Sequence, residues 1–200
     1  MSEHDEYRNI LVVGDLTSPT ATVTLELLGK ARELAERLGV WVYGVTLYPN
    51  GGKNLISYGA DVVYQVKEIL WNSRLVTSPE FVQTYVRVLD QVIRMTRPEI
   101  ILFAATPLGH DLAPRIAQRF STGLVTGCVG LDLEVETRML VAIRPLFQKR
   151  VLAEVVFPHH RPQMVIVEPG VFPQAFEDPS REGRVEEIIL DQHLGKPVTG

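Results

Sequence analysis

The stretch from Arg97 to Glu134, RPEIILFAATPLGHDLAPRIAQRFSTGLVTGCVGLDLE, constrains the fold more than any other. An apolar run gives way there to helical spacing, which reads as a buried strand over Ile100 to Ala104, a loop over Ala105 to His110, a helix over Asp111 to Phe120 and a second strand near Gly123 to Leu133. In an open parallel sheet, ligands and partners collect at the carboxyl ends of the strands. Thr106-Pro107-Leu108-Gly109-His110 is therefore where function is first sought. Asp111 can cap the helix, with Pro114 near the third position, where a missing N–H costs nothing. A carboxylate there already occupies the positive helix end, so the loop is a poor phosphate cradle. Cap and ligand loop both stand as readings, and capping preference favours the first.

Around this unit the chain alternates. Asn9 to Val13 reads as a short strand, and Ser18-Pro19 signals a helix start. Leu25, Leu28, Ala31, Ala35 and Leu38 then share one helical stripe before Gly39 stops it. Trp41 to Thr46 is a second strand, with Gly44 marking close backbone approach. Leu47 to Tyr58, with Pro49, Asn50, Gly51 and Gly52, reads as a turn-rich surface loop. Gly59 to Gln65 is a third strand, Ile69 to Ser78 is irregular with Trp71 either a core anchor or a partner contact, and Ser78-Pro79 opens a helix carrying Phe81, Tyr85, Val88 or Leu89, and Val92 on one side. Met139 to Ile143 and Val151 to Phe157 suggest an antiparallel hairpin added to the sheet, and Gln163 to Val167 a further strand. The expected class is α/β: a three-layer, doubly wound, mostly parallel sheet with helices on both faces and an added antiparallel hairpin. Residues 1–176 form the domain, and 177–200 an acidic extension with one strand near Val185 and Ile188-Ile189-Leu190.

Composition excludes more than it identifies. Two hundred residues with 46% hydrophobic content suit one domain with a sizeable core. Twenty basic residues scattered among 24 acidic ones, net charge −4, offer no basic face for nucleic acid. The single cysteine, Cys128, rules out an internal disulfide and a cysteine-based zinc cluster, which fits a reducing cytoplasm, and its place in a strand suits a core thiol. The first residues lack the order of a secretory signal, and no apolar run reaches membrane-spanning length. The loop after Val13 has neither a phosphate-loop lysine nor G-x-G-x-x-G. His159-His160 lack a spaced third ligand and point to opposite sides of a strand; Ser121-Thr122-Gly123 has no general base; Asp15 and Asp111 need raised pKa values to act as a pair. No catalytic set emerges.

The run A-T-P-L-G-H-D-L-A-P-R-I-A-Q-R-F-S-T-G-L, followed by Ile143-Arg144-Pro145-Leu146-Phe147, Arg161-Pro162-Gln163-Met164 and Pro169-Gly170-Val171-Phe172, resembles the amino-terminal domain of the electron transfer flavoprotein alpha subunit, from Ile10 to about Leu190. The resemblance implies an adenine nucleotide alpha hydrolase-like fold and a subunit without catalytic residues of its own. Its expected role is to pair with an electron transfer flavoprotein beta-like subunit and help position flavin for electron transfer. It also implies that FAD is held mainly by a partner chain, a separate FAD domain or a dehydrogenase, because the Ala-Ile-Asn segment of the family's flavin domain does not occur and the chain stops about where that domain would begin. Arg144 matches an arginine that faces a flavin at a subunit interface in some members, where its charge would raise the flavin's potential; a salt bridge anchoring the hairpin is the plainer role. Thr106, Gly109 and His110 are the other candidate contacts, in the loop at the strand end. The chain departs from the family pattern at His110 and Glu168, where the family has arginine, and at Gln148-Lys149-Arg150, where it has Gly-Gly-Asn. Two other functions are consistent with this fold: a stand-alone adenine-nucleotide-binding module of the universal stress protein type, and a cofactor-free structural subunit of a dehydrogenase complex.

Overall fold

The computed structural model describes residues 6–15, 18, 21–46, 48, 51–66 and 79–189. The continuous apolar runs become fully buried strands: β1 (Ile10–Val13), β4 (Ile100–Ala104) and β9 (Gln163–Val167) lie side by side in the middle of the main sheet. Burial on both faces is what such runs require, because parallel strands are covered by helices above and below. With β2 (Val42–Thr46), β3 (Val62–Val66), β5 (Leu124–Cys128) and β10 (Arg184–Ile188) they make a seven-stranded sheet in the order β10-β3-β2-β1-β4-β9-β5, every pairing parallel.

Two apolar layers sandwich the sheet. On one face α3 (Pro79–Thr96) and α4 (Pro107–Arg119) bury Tyr85, Leu89, Val92, Leu112 and Ile116 against Leu11, Ile101 and Phe103. On the other, α1 (Thr22–Leu38) and α2 (Gly51–Ser57) bury Leu28, Ala31, Leu34 and Leu55 against Ile10, Val12 and Leu102. The expected stripe on α1 is buried, and Gly39 ends the helix in the left-handed conformation that glycine adopts without penalty.

The two-strand hairpin has a third member. β6 (Gly130–Glu134), β7 (Met139–Leu146) and β8 (Val151–Val155) form an antiparallel sheet of their own, whose Leu131, Leu133, Leu140 and Ala142 join the α1 and α2 layer. The single strand expected over Gly123 to Leu133 is therefore two. Gly127 at φ +69 and a register irregularity between Val125 and Cys128 turn the chain out of the parallel sheet, and the alternating pattern of β6 begins after exposed Val129.

Three other boundaries differ from expectation. The turn-rich stretch after β2 contains α2, where Gly51 and Gly52 are buried; a Cβ on Gly52 would lie 2.9 Å from Val185 of β10, so this glycine serves close packing. Helix α1 starts at Thr22, four residues beyond Ser18, with Ala21 as a cap that makes no side-chain bond. Helix α4 starts at Pro107, because Thr106, and not Asp111, is its cap. The irregular stretch holding Trp71 lies outside the described residues, as do Pro19, Ser78 and Leu190. Among the described residues no helix is long and apolar enough to cross a membrane.

Candidate functional site

The carboxyl ends of β4, β9 and β5 form one rim, and backbone hydrogen bonds hold it together. The N–H of Ala105 donates to Val167 O at 3.0 Å, that of Glu168 to Cys128 O at 3.0 Å, and that of Val129 to Ile143 O at 2.8 Å. Thr106, Glu168, Cys128 and Arg144 thus belong to four successive segments laid side by side. Neighbouring strands lie about 4.8 Å apart, so Ala104 and Cys128, both in register with Val167, stand roughly 10 Å apart.

At the β4 end the first turn of the helix bonds its own polar groups. Thr106, extended at φ −99 and ψ 163, accepts the Gly109 N–H through Oγ1 at 3.0 Å, and its carbonyl accepts the His110 N–H at 2.9 Å. Pro107 occupies the first turn, where it has no N–H to leave unmet. Gly109 is buried, and a Cβ there would come within 2.0 Å of Ala104 O, so the turn sits directly on the end of β4. Asp111 is already inside the helix, paired with Arg115 one turn on at 2.9 Å, and Pro114 falls in the helix interior. His110 is exposed. Among the described residues no hydrogen bond or ion pair joins Thr106, Gly109 or His110 to Arg144.

The β5 end is different. Arg144 lies on β7 opposite Ala153 of β8 and is half-buried, and its Nε is buried without a hydrogen-bond partner. The ion pair that would anchor the hairpin through Arg144 is not formed among the described residues. The Cys128 thiol, fully buried and donating to Val125 O at 3.7 Å, is pushed up to about 12; burial is the main cause, the Arg144 guanidinium pulls the other way and the Glu168 carboxylate adds to the rise. Cys128 is accordingly a core thiol and no nucleophile at neutral pH. Sequence reasoning named Arg144, Glu168 and Cys128 singly; their meeting comes from strand pairing that no local pattern announces.

The crevice where the strand order reverses, between β1 and β4, is the usual ligand position in such sheets. Here Thr24 of α1 fills its β1 side. A Cβ on Gly14 would be 2.4 Å from Thr24 Oγ1, which accepts the Asp15 N–H at 2.8 Å. The cavity beside them, lined by Val12, Gly14, Asp15, Thr24 and Thr46 among others, measures about 10 Å³. Among the described residues that cavity has room for one water.

The remaining candidates are structural. The Thr122 hydroxyl donates to Pro162 O at 2.8 Å. His159 and His160 are exposed in the turn that follows β8, rather than on a strand, and no group of three potential metal-binding side chains occurs among the described residues. A surface hollow at the amino ends of β2, β3 and β10 contains Asp61, but Arg32 at 3.0 Å, Arg181 at 2.7 Å and the Val42 N–H at 2.8 Å already satisfy its carboxylate.

The model of a family described as "Electron transfer flavoprotein domain" matches residues 11–193. An electron transfer flavoprotein subunit alpha of Thermoanaerobacterium thermosaccharolyticum is 37% identical over 191 residues, covering 94% of this chain and 56% of the relative. That of Clostridium acetobutylicum is 44% identical over 154 residues, covering 75% and 44%. The "Lactate dehydrogenase (NAD(+),ferredoxin) subunit LctC" of Acetobacterium woodii is 36% identical over 183 residues, covering 86% and 41%. The chain spans about half the length of the curated relatives it matches.

Proposed function

Because the chain belongs to the electron transfer flavoprotein family, we propose that it acts as an alpha-type docking half, which packs against a beta-type subunit and presents Arg144 to an FAD gripped mainly by its companions. The carrying observation is the Arg144 Nε, a buried donor with no acceptor in the described structure. The side chain is only half-buried, and no hydrogen bond or ion pair occupies it among the described residues, so a flavin ring brought from outside the chain would supply an acceptor to the exposed part of the guanidinium. The group fits: a guanidinium is planar, always charged and suited to ring oxygens.

When bound, the flavin supplies reversible electron transfer. The chain's own contribution is electrostatic and positional. Arg144 donates a hydrogen bond and a fixed positive charge, which favours the more negative form of whatever faces it. The strand register that sets Arg144 opposite Ala153 holds it in place, with Val129 and Ile143 tying β7 to the main sheet. A dehydrogenase is a further partner in this reading, in keeping with the printed name of the Acetobacterium woodii relative. A cytoplasmic location fits the single buried thiol.

Co-expression with a beta-type subunit of the same family tests the proposal. The expected product is a heterodimer carrying the flavin's visible absorption, and the chain expressed alone purifies colourless. A colourless chain that remains monomeric beside its beta-type partner contradicts it.

A further inference from the structure

We propose that Glu168 sets the potential of the flavin at Arg144, by placing a carboxylate on the same rim as the guanidinium without closing on it. The inference rests on the reading above, in which Arg144 faces flavin, and adds a second residue of opposite sign.

The geometry is set by backbone. Glu168 follows β9 directly, and its N–H donates to Cys128 O at 3.0 Å, so its position does not depend on its side chain. The residue that follows β5, Val129, is tied to Ile143, the neighbour of Arg144. Gly127, one residue before Cys128, has a φ of +69 that disfavours any side chain; even an ideal Cβ there would only touch Glu168 Oε1, at 3.8 Å. Glycine therefore leaves the carboxylate uncovered on its β5 side. Both charges act on the buried Cys128 sulfur, from which it follows that each lies within electrostatic reach of the same small volume. No ion pair joins Arg144 to Glu168, so neither charge is cancelled by direct contact, and Arg144 Nε remains without an acceptor.

Two opposite fixed charges beside one electron acceptor oppose each other. Arg144 favours the electron-rich form and Glu168 disfavours it, in a partly buried place where water screens less than at an open surface. The wild-type potential is then a compromise, lower than Arg144 alone would give.

The test uses the complex of this chain with its beta-type subunit, measuring flavin content and then midpoint potential by spectroelectrochemical titration. Removing the charge with Glu168→Gln should shift the reduction equilibrium toward the reduced form by about threefold to tenfold, up to about 59 mV for a one-electron step, and Glu168→Arg further in the same direction. Arg144→Gln should shift it the other way. Thermal unfolding of each variant shows that the fold is kept, as expected where the amide and not the carboxylate makes the strand contact. An unchanged potential in Glu168→Gln, in a complex where Arg144→Gln does shift it, overturns the role of Glu168 and leaves that of Arg144 standing. A complex without flavin, or one in which Arg144→Gln shifts nothing, overturns both.

Discussion

Arg138 holds the buried carboxylate of Glu99 on both oxygens, with Nε 3.0 Å from each and Nη2 2.6 Å from Oε2. Glu99 precedes β4 in the main sheet and Arg138 precedes β7 in the small one, so the pair joins the two sheets at the end opposite the candidate site. Arg161, itself buried, adds a second cation at 3.7 Å. Removing one partner of a buried pair strands the others. Glu99→Gln is expected to lower stability by about 3 kcal/mol in urea unfolding, and a loss under about 1 kcal/mol would show that the pair is solvent-screened.

Thr106 and Gly109 fix the first turn of α4 by different means, and the two should separate on substitution. Thr106→Ala removes one cap bond, for an expected loss of about 1 kcal/mol. Gly109→Ala drives a Cβ to 2.0 Å from Ala104 O, which has no flexible side chain to yield. The helix must move, at an expected cost above about 3 kcal/mol, within the range of severe overpacking. Equal midpoints for the two variants in thermal unfolding would contradict this ranking.

Phe147, Gln148 and Lys149 all sit at positive φ, 50, 57 and 68, at the exposed tip of the hairpin between β7 and β8. Side chains disfavour that region by about 1–2 kcal/mol per residue. Glycine at Gln148 or Lys149, where the family pattern has glycines, should relieve part of it, about 0.5–1 kcal/mol for each after its unfolded-state entropy is counted. Chemical denaturation of Gln148→Gly and Lys149→Gly measures this, and destabilisation in both would mean that the tip does not hold these angles in solution.

The Cys128 thiol gives a pH dependence of fixed sign. Its folded value lies near 12, above the ordinary 9.0, so the folded state holds the proton after the unfolded state has begun to lose it. The stability this supplies is complete below the unfolded value and disappears as pH rises toward the folded one. Between pH 8 and 10 the wild type should lose about 1 kcal/mol relative to Cys128→Ala, seen as converging unfolding midpoints. Parallel curves across that interval would contradict the burial of the thiol.

Much of the architecture could be read along the chain because its signals are local. Ile10–Val13, Ile100–Ala104 and residues 164–167 are apolar throughout, and only a sheet covered on both faces buries such runs. The stripe on α1 and its stop at Gly39 are equally direct. Local signals mislead where one residue type serves two purposes. Thr106 and Asp111 are both good caps five residues apart, and the decisive clue was Pro107, suited to a first turn, over Pro114, which the helix tolerates inside. Gly52 reads as a turn residue, yet it admits Val185 from more than a hundred residues away. The candidate site was legible as separate residues only. Arg144 and Cys128 lie on two strands and Glu168 just past a third, and pairing among distant strands decides their proximity.

The most direct measurement is a calorimetric titration of FAD into the isolated chain and, in parallel, into the flavin-stripped complex with its beta-type subunit. A docking half that relies on its companions should give no binding heat alone and saturable binding in the complex, weakened by Arg144→Gln. Tight stoichiometric binding of FAD by the isolated chain would contradict it.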